Sequence, residues 1–314
     1  MLYEHKITVV EVGPRDGLQY EMDFFPTEKK IELIDLLSQT GLTRIEVTSF
    51  VHPKVIPQFR DAAEVLKGIQ RKSGVIYSAL VPNLKGCERA LETPVDELAL
   101  FISASETHNR KNVGMSIEDS LKVLKKVAAL GASEGKRLRG YVITAFGCPY
   151  EGKVPVDQVK RIFHAYGEMG VSEVSLGDTT GMANPRQVAE LIERLLDEGG
   201  EMAIAVHFHN SRGAGLANAL AAYQAGIRVF DSSVGGIGGC PTAIGAMGNI
   251  ATEDLVCMFE EMGVSTGVDF DSLIQAAAFA QEIIGRELPS YTLKVGRPDW
   301  AGDQKGRCAE DMEA

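Results

Sequence analysis

The sequence predicts a (β/α)8 barrel, and three observations lead there. Eight apolar, β-branched runs recur along its 314 residues, each followed by a longer stretch with helical periodicity. The connections between them are short, which suits a closed parallel barrel better than the alternative, an open doubly wound sheet. Polar residues with chemical reach fall at the C-terminal ends of the runs, the face on which such a barrel carries its site.

The runs lie at Ile7–Val12, Arg44–Ser49, Val75–Val81, Glu97–Ile102, Arg139–Thr144, Glu173–Leu176, Ala203–His209 and Val229–Val234. The first helical stretch, Thr27–Thr40, places Ile31, Ile34 and Leu37 on one face, widened by Leu33. Thr27 is its expected N-cap, and Gly41 stands just past its end. Ser116–Gly135 opens on Ser-Ile-Glu-Asp, a loose capping box. Pro155, Pro185 and Thr252 mark three more helix starts. An additional helix, about Asp271–Ile284, and a polar tail from Arg297 follow the eighth unit. With no linker, low-complexity tract or second core, residues 1–314 are expected to form one domain.

Composition narrows the function. A hydrophobic content of 45% supplies a large core, while 32 basic against 43 acidic residues give a net charge of −11. That balance argues against nucleic-acid binding. No apolar run approaches the roughly 18 residues that would span a bilayer, and the N-terminus lacks a signal-peptide pattern. The five cysteines, Cys87, Cys148, Cys240, Cys257 and Cys308, are odd in number and irregularly spaced. Reduced thiols and a cytoplasmic location are expected.

The run from Val234 to Asn249 holds six glycines in sixteen residues, with a thiol, Cys240, in their midst. Glycines at this density let backbone approach a ligand closely or fold over it. Neither a dinucleotide nor a P-loop fingerprint is present. The most informative four residues are Val206-His207-Phe208-His209: alternation along a strand puts both imidazoles on one face. Two histidines at a barrel strand end make half a metal site, or else two hydrogen-bonded polar residues in a barrel layer. Asp16, at the end of the first run, would add an anionic oxygen, and Asn249 could add an amide oxygen. Such a mixed nitrogen and oxygen set leaves two octahedral positions open and suits Mg²⁺, Mn²⁺ or Co²⁺ better than structural zinc. A chelating substrate would fill them.

Arg15 beside Asp16 offers a guanidinium where negative charge could develop, and equally could solvate a turn. Glu46 within Ile45-Glu46-Val47 is a buried strand carboxylate that needs a partner, for which Arg15 is the obvious choice. Asp178 in Leu-Gly-Asp-Thr-Thr-Gly could accept from a histidine, hold Arg15, or serve a structural hydrogen bond.

In this order the residues resemble 3-hydroxy-3-methylglutaryl-CoA lyase, within the metal-dependent barrels named for an Asp-Arg-Glu triad. The resembling segments run from Ile7 to about Phe259 and include Glu11-Val-Gly-Pro-Arg-Asp-Gly-Leu-Gln19, Gly147-Cys-Pro-Tyr-Glu-Gly-Lys153, Ser175-Leu-Gly-Asp-Thr179, Asp231-Ser-Ser233 and Gly248-Asn-Ile-Ala-Thr-Glu-Asp254. The resemblance implies metal ligands at Asp16, His207, His209 and Asn249, and Arg15 stabilising an enolate with Glu46 and Asp178 in support. It makes Cys240 a catalytic acid/base group. It also implies a CoA thioester substrate cleaved by a retro-Claisen reaction, with Lys54, Arg110, Lys111 and Lys153 as candidates for the CoA phosphates. A homodimer or other homo-oligomer is expected. A Claisen-type transferase or oxo-acid aldolase on the same scaffold, or a barrel that binds a metabolite without turnover, are the competing readings. Tyr20, His52, Asn210, Ser211, Arg212 and Thr242 depart from the family pattern and are expected around the acyl pocket.

Overall fold

The structure, a computed structural model, describes residues 6–197, 200, 202–239 and 248–298. Eight parallel strands close into a barrel in chain order. They are β1 (Thr8–Glu11), β2 (Arg44–Ser49), β3 (Ile76–Leu80), β4 (Glu97–Ser103), β5 (Arg137–Ile143), β6 (Glu173–Asp178), β7 (Ala203–Phe208) and β8 (Val229–Ser232). The ring closes where β1 pairs with β8, Thr8 opposite Val229 and Glu11 opposite Ser232. Every strand-like run of the sequence is a strand here, with ends moved by a few residues at most.

The helices lie outside the ring and are capped largely as their sequences suggest. Ser116 accepts from the Asp119 amide at 3.0 Å and opens the helix Ile117–Ser133. Asn184 caps Pro185–Leu196, and Asp269 caps the additional helix Phe270–Ile284. Thr27 differs from expectation: it is the first helical residue after Pro26, and its hydroxyl donates to Asp61 at 2.9 Å instead of capping. The preset backbone of Pro26 starts this helix without a side-chain cap.

The apolar core is the annulus between sheet and helices, where Ile45, Val47, Val206, Phe208 and Phe230 meet Leu33, Val127, Ile162 and Leu255. The barrel interior is instead largely polar. Arg44 spans Glu97 and Glu173, and Arg139 joins Glu173 to Asp231. A small apolar patch, Leu80, Ala99 and Tyr141 with Val51, Phe101 and Ile143, covers the inner wall on the β3–β5 side.

Two backbone approaches require glycine. A side chain at Gly13 would place its Cβ 2.6 Å from Glu11 Oε1, the oxygen that the Gly13 amide itself binds. A Cβ at Gly248 would lie 2.5 Å from the carbonyl carbon of Gly238, so the two stems of the glycine-rich run touch.

Glu11 and Glu253 sit buried at these stems. Glu11 accepts from the amides of Gly13 and Val234 and from the Thr252 hydroxyl, and Glu253 accepts from the Gly235 amide. Burial pushes their carboxyls up to about 7 and about 8. A carboxyl whose folded pKa exceeds its ordinary value binds its proton more tightly when folded. Its stabilising contribution is full below the unfolded value of about 4.3 and is lost as pH rises through the folded one. Melting temperature is therefore expected to decline between pH 5 and pH 9, and to decline less in Glu253→Gln. Parallel curves for the two proteins in melts across that pH range would refute this.

Candidate active site

A short π-helical turn, Gly13–Gly17, carries the first two site residues off the end of β1. The Val12 carbonyl accepts from the amides of Arg15 and Asp16 at 3.1 and 2.6 Å, which holds the turn over the barrel mouth. His207 lies on β7 and His209 just beyond it, their rings 5.2 Å apart. Asn249 pairs with His209 through an isolated antiparallel bridge.

Asp16, His207 and His209 converge, with one ligand atom of each within 4.8 Å of the others. Both imidazole Nε2 atoms lie 3.7 Å from Asp16 Oδ2. Burial disfavours the Asp16 charge, yet the adjoining Arg15 guanidinium, helped by the histidines, holds its carboxyl down at about 2. Burial, then the neighbouring His207, brings the His209 imidazole down to about 4 and leaves it a neutral nitrogen donor at pH 7. Asn249 Nδ2 bridges Asp16 Oδ2 and the Ile237 carbonyl at 2.8 and 3.3 Å, and among the described residues its buried Oδ1 has no hydrogen-bond partner.

These donors fit a divalent cation. The orphaned Asn249 oxygen is a lone pair that an ion would satisfy, and two nitrogens with carboxylate and amide oxygens are the donor types it takes. Among the described residues, ion pairs join five buried carboxylates, Asp16, Glu46, Glu97, Glu173 and Asp231, to three buried guanidiniums, Arg15, Arg44 and Arg139, and the histidines must be neutral to serve as ligands.

Arg15 lies between Asp16 and Glu46. Its Nη1 is 2.5 Å from Asp16 Oδ1, and its Nε donates to Glu46 Oε1. Glu46 Oε2 accepts from the Tyr141 hydroxyl at 2.9 Å. The two carboxylates raise the Arg15 pKa in spite of its burial, so the group is a permanent cation. Above these residues opens a cleft of about 510 Å³. Arg15, Asp16, His207 and His209 stand at one end, and Val51, Leu80, Phe101 and Ile143 form an apolar wall.

The remaining sequence-picked residues scatter. Asp178 turns to its own loop: its Oδ1 accepts from the Met182 amide at 2.8 Å, and burial lifts its carboxyl to about 6. Among the described residues its side chain bonds neither Arg15 nor a histidine. Asp231 occupies that place, its Oδ2 3.4 Å from His207 Nδ1. Lys54, Arg110, Lys111 and Lys153 are all exposed, and none lines the cleft. Arg110 pairs with Glu106 at 2.7 Å, and Lys111 lies over the Tyr150 ring. Lys54 and Lys111 nonetheless adjoin the rim residues His52, Val55, His108 and Asn112. Cys240 and Thr242 lie outside the described residues.

Of the departures, Tyr20 and His52 line the cleft, whereas Arg212 does not. Its guanidinium donates to the Thr180 and Gly181 carbonyls at 2.9 and 2.8 Å, which pins the loop after β6. Asn210 accepts from the Gly215 amide at 3.0 Å. The Arg212 guanidinium is thus held on backbone carbonyls, outside the residues that line the cleft.

Sequence reasoning passed over Gln19, Arg139, Tyr141 and the role of Asp231. Gln19 Nε2 donates to Asp16 Oδ1 at 2.9 Å. Period-2 alternation marks Arg139 and Tyr141 as sharing a face of β5, which was the available signal.

A family profile described as HMGL-like matches residues 6–280. A hydroxymethylglutaryl-CoA lyase of Bacillus subtilis is 52% identical over 295 residues, covering 94% of this chain and 99% of that protein. The mitochondrial hydroxymethylglutaryl-CoA lyase of Homo sapiens is 46% identical over 285 residues, covering 91% of this chain and 88% of that one. The solved structure of an HMG-CoA lyase from Acinetobacter baumannii, in complex with coenzyme A and 3-methylmalate, has a TM-score of 0.90 at 46% identity and covers 95% of this chain and 97% of that one. Similarity along nearly the full length of proteins whose barrel is closed in the same way leaves one assignment: the chain belongs to the HMGL-like family.

Proposed function

We propose that this chain cleaves 3-hydroxy-3-methylglutaryl-CoA to acetyl-CoA and acetoacetate with the help of Mg²⁺, Mn²⁺ or Co²⁺. The observation that carries the reading is the juxtaposition, at one end of the cleft, of the Asp16, His207 and His209 cluster with the Arg15 guanidinium. One domain spanning the barrel and its C-terminal helix performs the reaction. Among the described residues no helix is long and apolar enough to cross a membrane.

Asp16, His207, His209 and Asn249 would hold the cation, which supplies Lewis acidity that favours ionisation of a chelated 3-hydroxyl. The apolar wall of Val51, Leu80, Phe101 and Ile143 takes the C3 methyl and excludes water from the reacting carbon. Once the hydroxyl proton leaves to a base, its electron pair forms the ketone. The C–C bond breaks, and its pair passes to the α-carbon of the thioester. Arg15, fixed by Asp16 and Glu46, stands where it neutralises the enolate oxygen without having to reorganise. Cys240 returns a proton to the carbon, completing acetyl-CoA. In support, Gly238 and Gly248 press together beside Asn249, and a Cβ on Gly238 would lie 2.9 Å from Asn249 Nδ2. Cys240 follows Gly238 by two residues in the sequence.

Phosphate contacts with CoA fall to Lys54 and Lys111 on this reading, since both are exposed beside the rim. Lys153 and the Glu106-paired Arg110 are secondary.

The test is direct. Purified protein with Mn²⁺ and 3-hydroxy-3-methylglutaryl-CoA is expected to release acetyl-CoA and acetoacetate in equal amounts, and a longer C3 alkyl group should lower kcat/KM. Failure to release acetyl-CoA under saturating metal would refute the assignment.

A further inference from the structure

We infer that Arg139 is a positioning residue that sets the two working sides of the site from a single guanidinium. The inference rests on the lyase reading above and adds to it a residue that lies beneath the cleft and does not line it. Arg139 is fully buried, with 0% of its side chain exposed. One edge of its guanidinium grips Asp231, Nη2 to Oδ1 at 2.6 Å and Nη1 to Oδ2 at 3.3 Å. Asp231 in turn faces His207 Nδ1 and also accepts from Ser175 Oγ at 3.0 Å. Nη1 also donates to the Tyr141 hydroxyl at 2.5 Å, and that hydroxyl donates onward to Glu46, the carboxylate that holds Arg15. Nε is anchored below by Glu173 at 2.7 Å.

Two arms therefore leave one group. The Asp231 arm orients the His207 ring and fixes which nitrogen carries its proton, as outer carboxylates do for ligating histidines. The Tyr141 arm orients Glu46 and through it Arg15. Tyr141 lies between the two cations, with Arg139 Cζ 4.8 Å and Arg15 Cζ 5.7 Å from its ring. Only a planar fork with several fixed donors can serve both arms at once. A lysine ammonium keeps the charge but loses the geometry.

The experiment compares Asp231→Asn, Tyr141→Phe and Arg139→Lys with wild type, with fold checked by circular dichroism. Two readouts are taken: Mn²⁺ affinity by electron paramagnetic resonance, without turnover, and kcat and KM with 3-hydroxy-3-methylglutaryl-CoA. Asp231→Asn is expected to weaken Mn²⁺ binding by roughly 10–100-fold. Tyr141→Phe should leave Mn²⁺ affinity unchanged and lower kcat about tenfold at nearly constant KM. Arg139→Lys should show both defects, and adding either other substitution to it should cost little more. Wild-type Mn²⁺ affinity in Arg139→Lys, or fully additive losses in the double variants, would overturn the inference. Should Arg139→Lys not fold, the near-isosteric pair decides alone: the inference falls if either variant lacks its assigned defect. If the wild type fails to cleave the thioester, the lyase reading falls, while Mn²⁺ affinity still judges the Asp231 arm.

Discussion

Asp16→Ala and His207→Ala are each expected to lower turnover by about 10³-fold or more, with Mn²⁺ affinity falling in parallel. A bound cation is worth several kcal/mol of transition-state stabilisation, and every 1.36 kcal/mol is a factor of ten. Either substitution removes a member of the converging cluster. Asp16→Ala does additional harm, because Arg15 Nη1, Gln19 Nε2 and Asn249 Nδ2 all donate to that carboxylate. It should therefore be the more damaging of the two. Removing the metal from wild type with a chelator should abolish activity, and Mg²⁺, Mn²⁺ or Co²⁺ should restore it. Assays of metal-depleted protein before and after each addition decide the matter: full activity in the depleted protein would end the metal-dependent reading.

Arg15→Gln should cost roughly 10³-fold in kcat while KM moves only a few-fold, the pattern of an interaction made chiefly in the transition state. The substitution has a second consequence that must be separated from the first. Without Arg15, Glu46 is a buried carboxylate whose remaining side-chain partner among the described residues is the Tyr141 hydroxyl, and an uncompensated buried charge is strongly destabilising. Arg15→Gln should therefore also melt at a lower temperature. Combining it with Glu46→Gln removes the stranded charge and should recover much of the melting temperature, with kcat remaining low. Recovery of turnover in the double variant, or a loss confined to KM, would reassign Arg15 from charge stabilisation to scaffold or to CoA binding.

The strands and the chemistry-bearing strand ends were legible because each depends on local pattern. A β-branched run marks a strand, and alternation along Val206-His207-Phe208-His209 already put two imidazoles on one face. What alternation cannot supply is the partner across the barrel. Arg44 meets Glu173 from 129 residues away, and Tyr141 meets Glu46 from 95. That is why Asp178 looked as suitable for His207 as Asp231 does in fact. Gly177 faces the cleft, so its neighbour Asp178 is carried out of it into the following loop. Arg212 misled for a related reason. Its position just beyond His209 was plain, but the carbonyls that capture it belong to a loop some thirty residues earlier. The rim lysines carry no pattern that separates them from other exposed charge.

The polar interior also bears on how the molecule comes together. Several of its contacts cross the midpoint of the chain: Arg44 of β2 binds Glu173 of β6 as well as Glu97 of β4, Glu46 of β2 binds Tyr141 of β5, and Asp16 after β1 binds Asn249 after β8. A half-barrel of four strands would keep ion pairs such as Arg44–Glu97 but lack Glu173, Tyr141 and Asn249, so its polar groups would be incompletely satisfied and the substructure weakened. Partly assembled forms are penalised until the last strand arrives, and closure and complete polar pairing must occur together. The barrel is then expected to form slowly, because its decisive contacts are far apart in sequence, and to come apart in a single event. Amide hydrogens on β1 and β8 should exchange with solvent at the same rate as those of the central strands, without the fraying usual at chain ends.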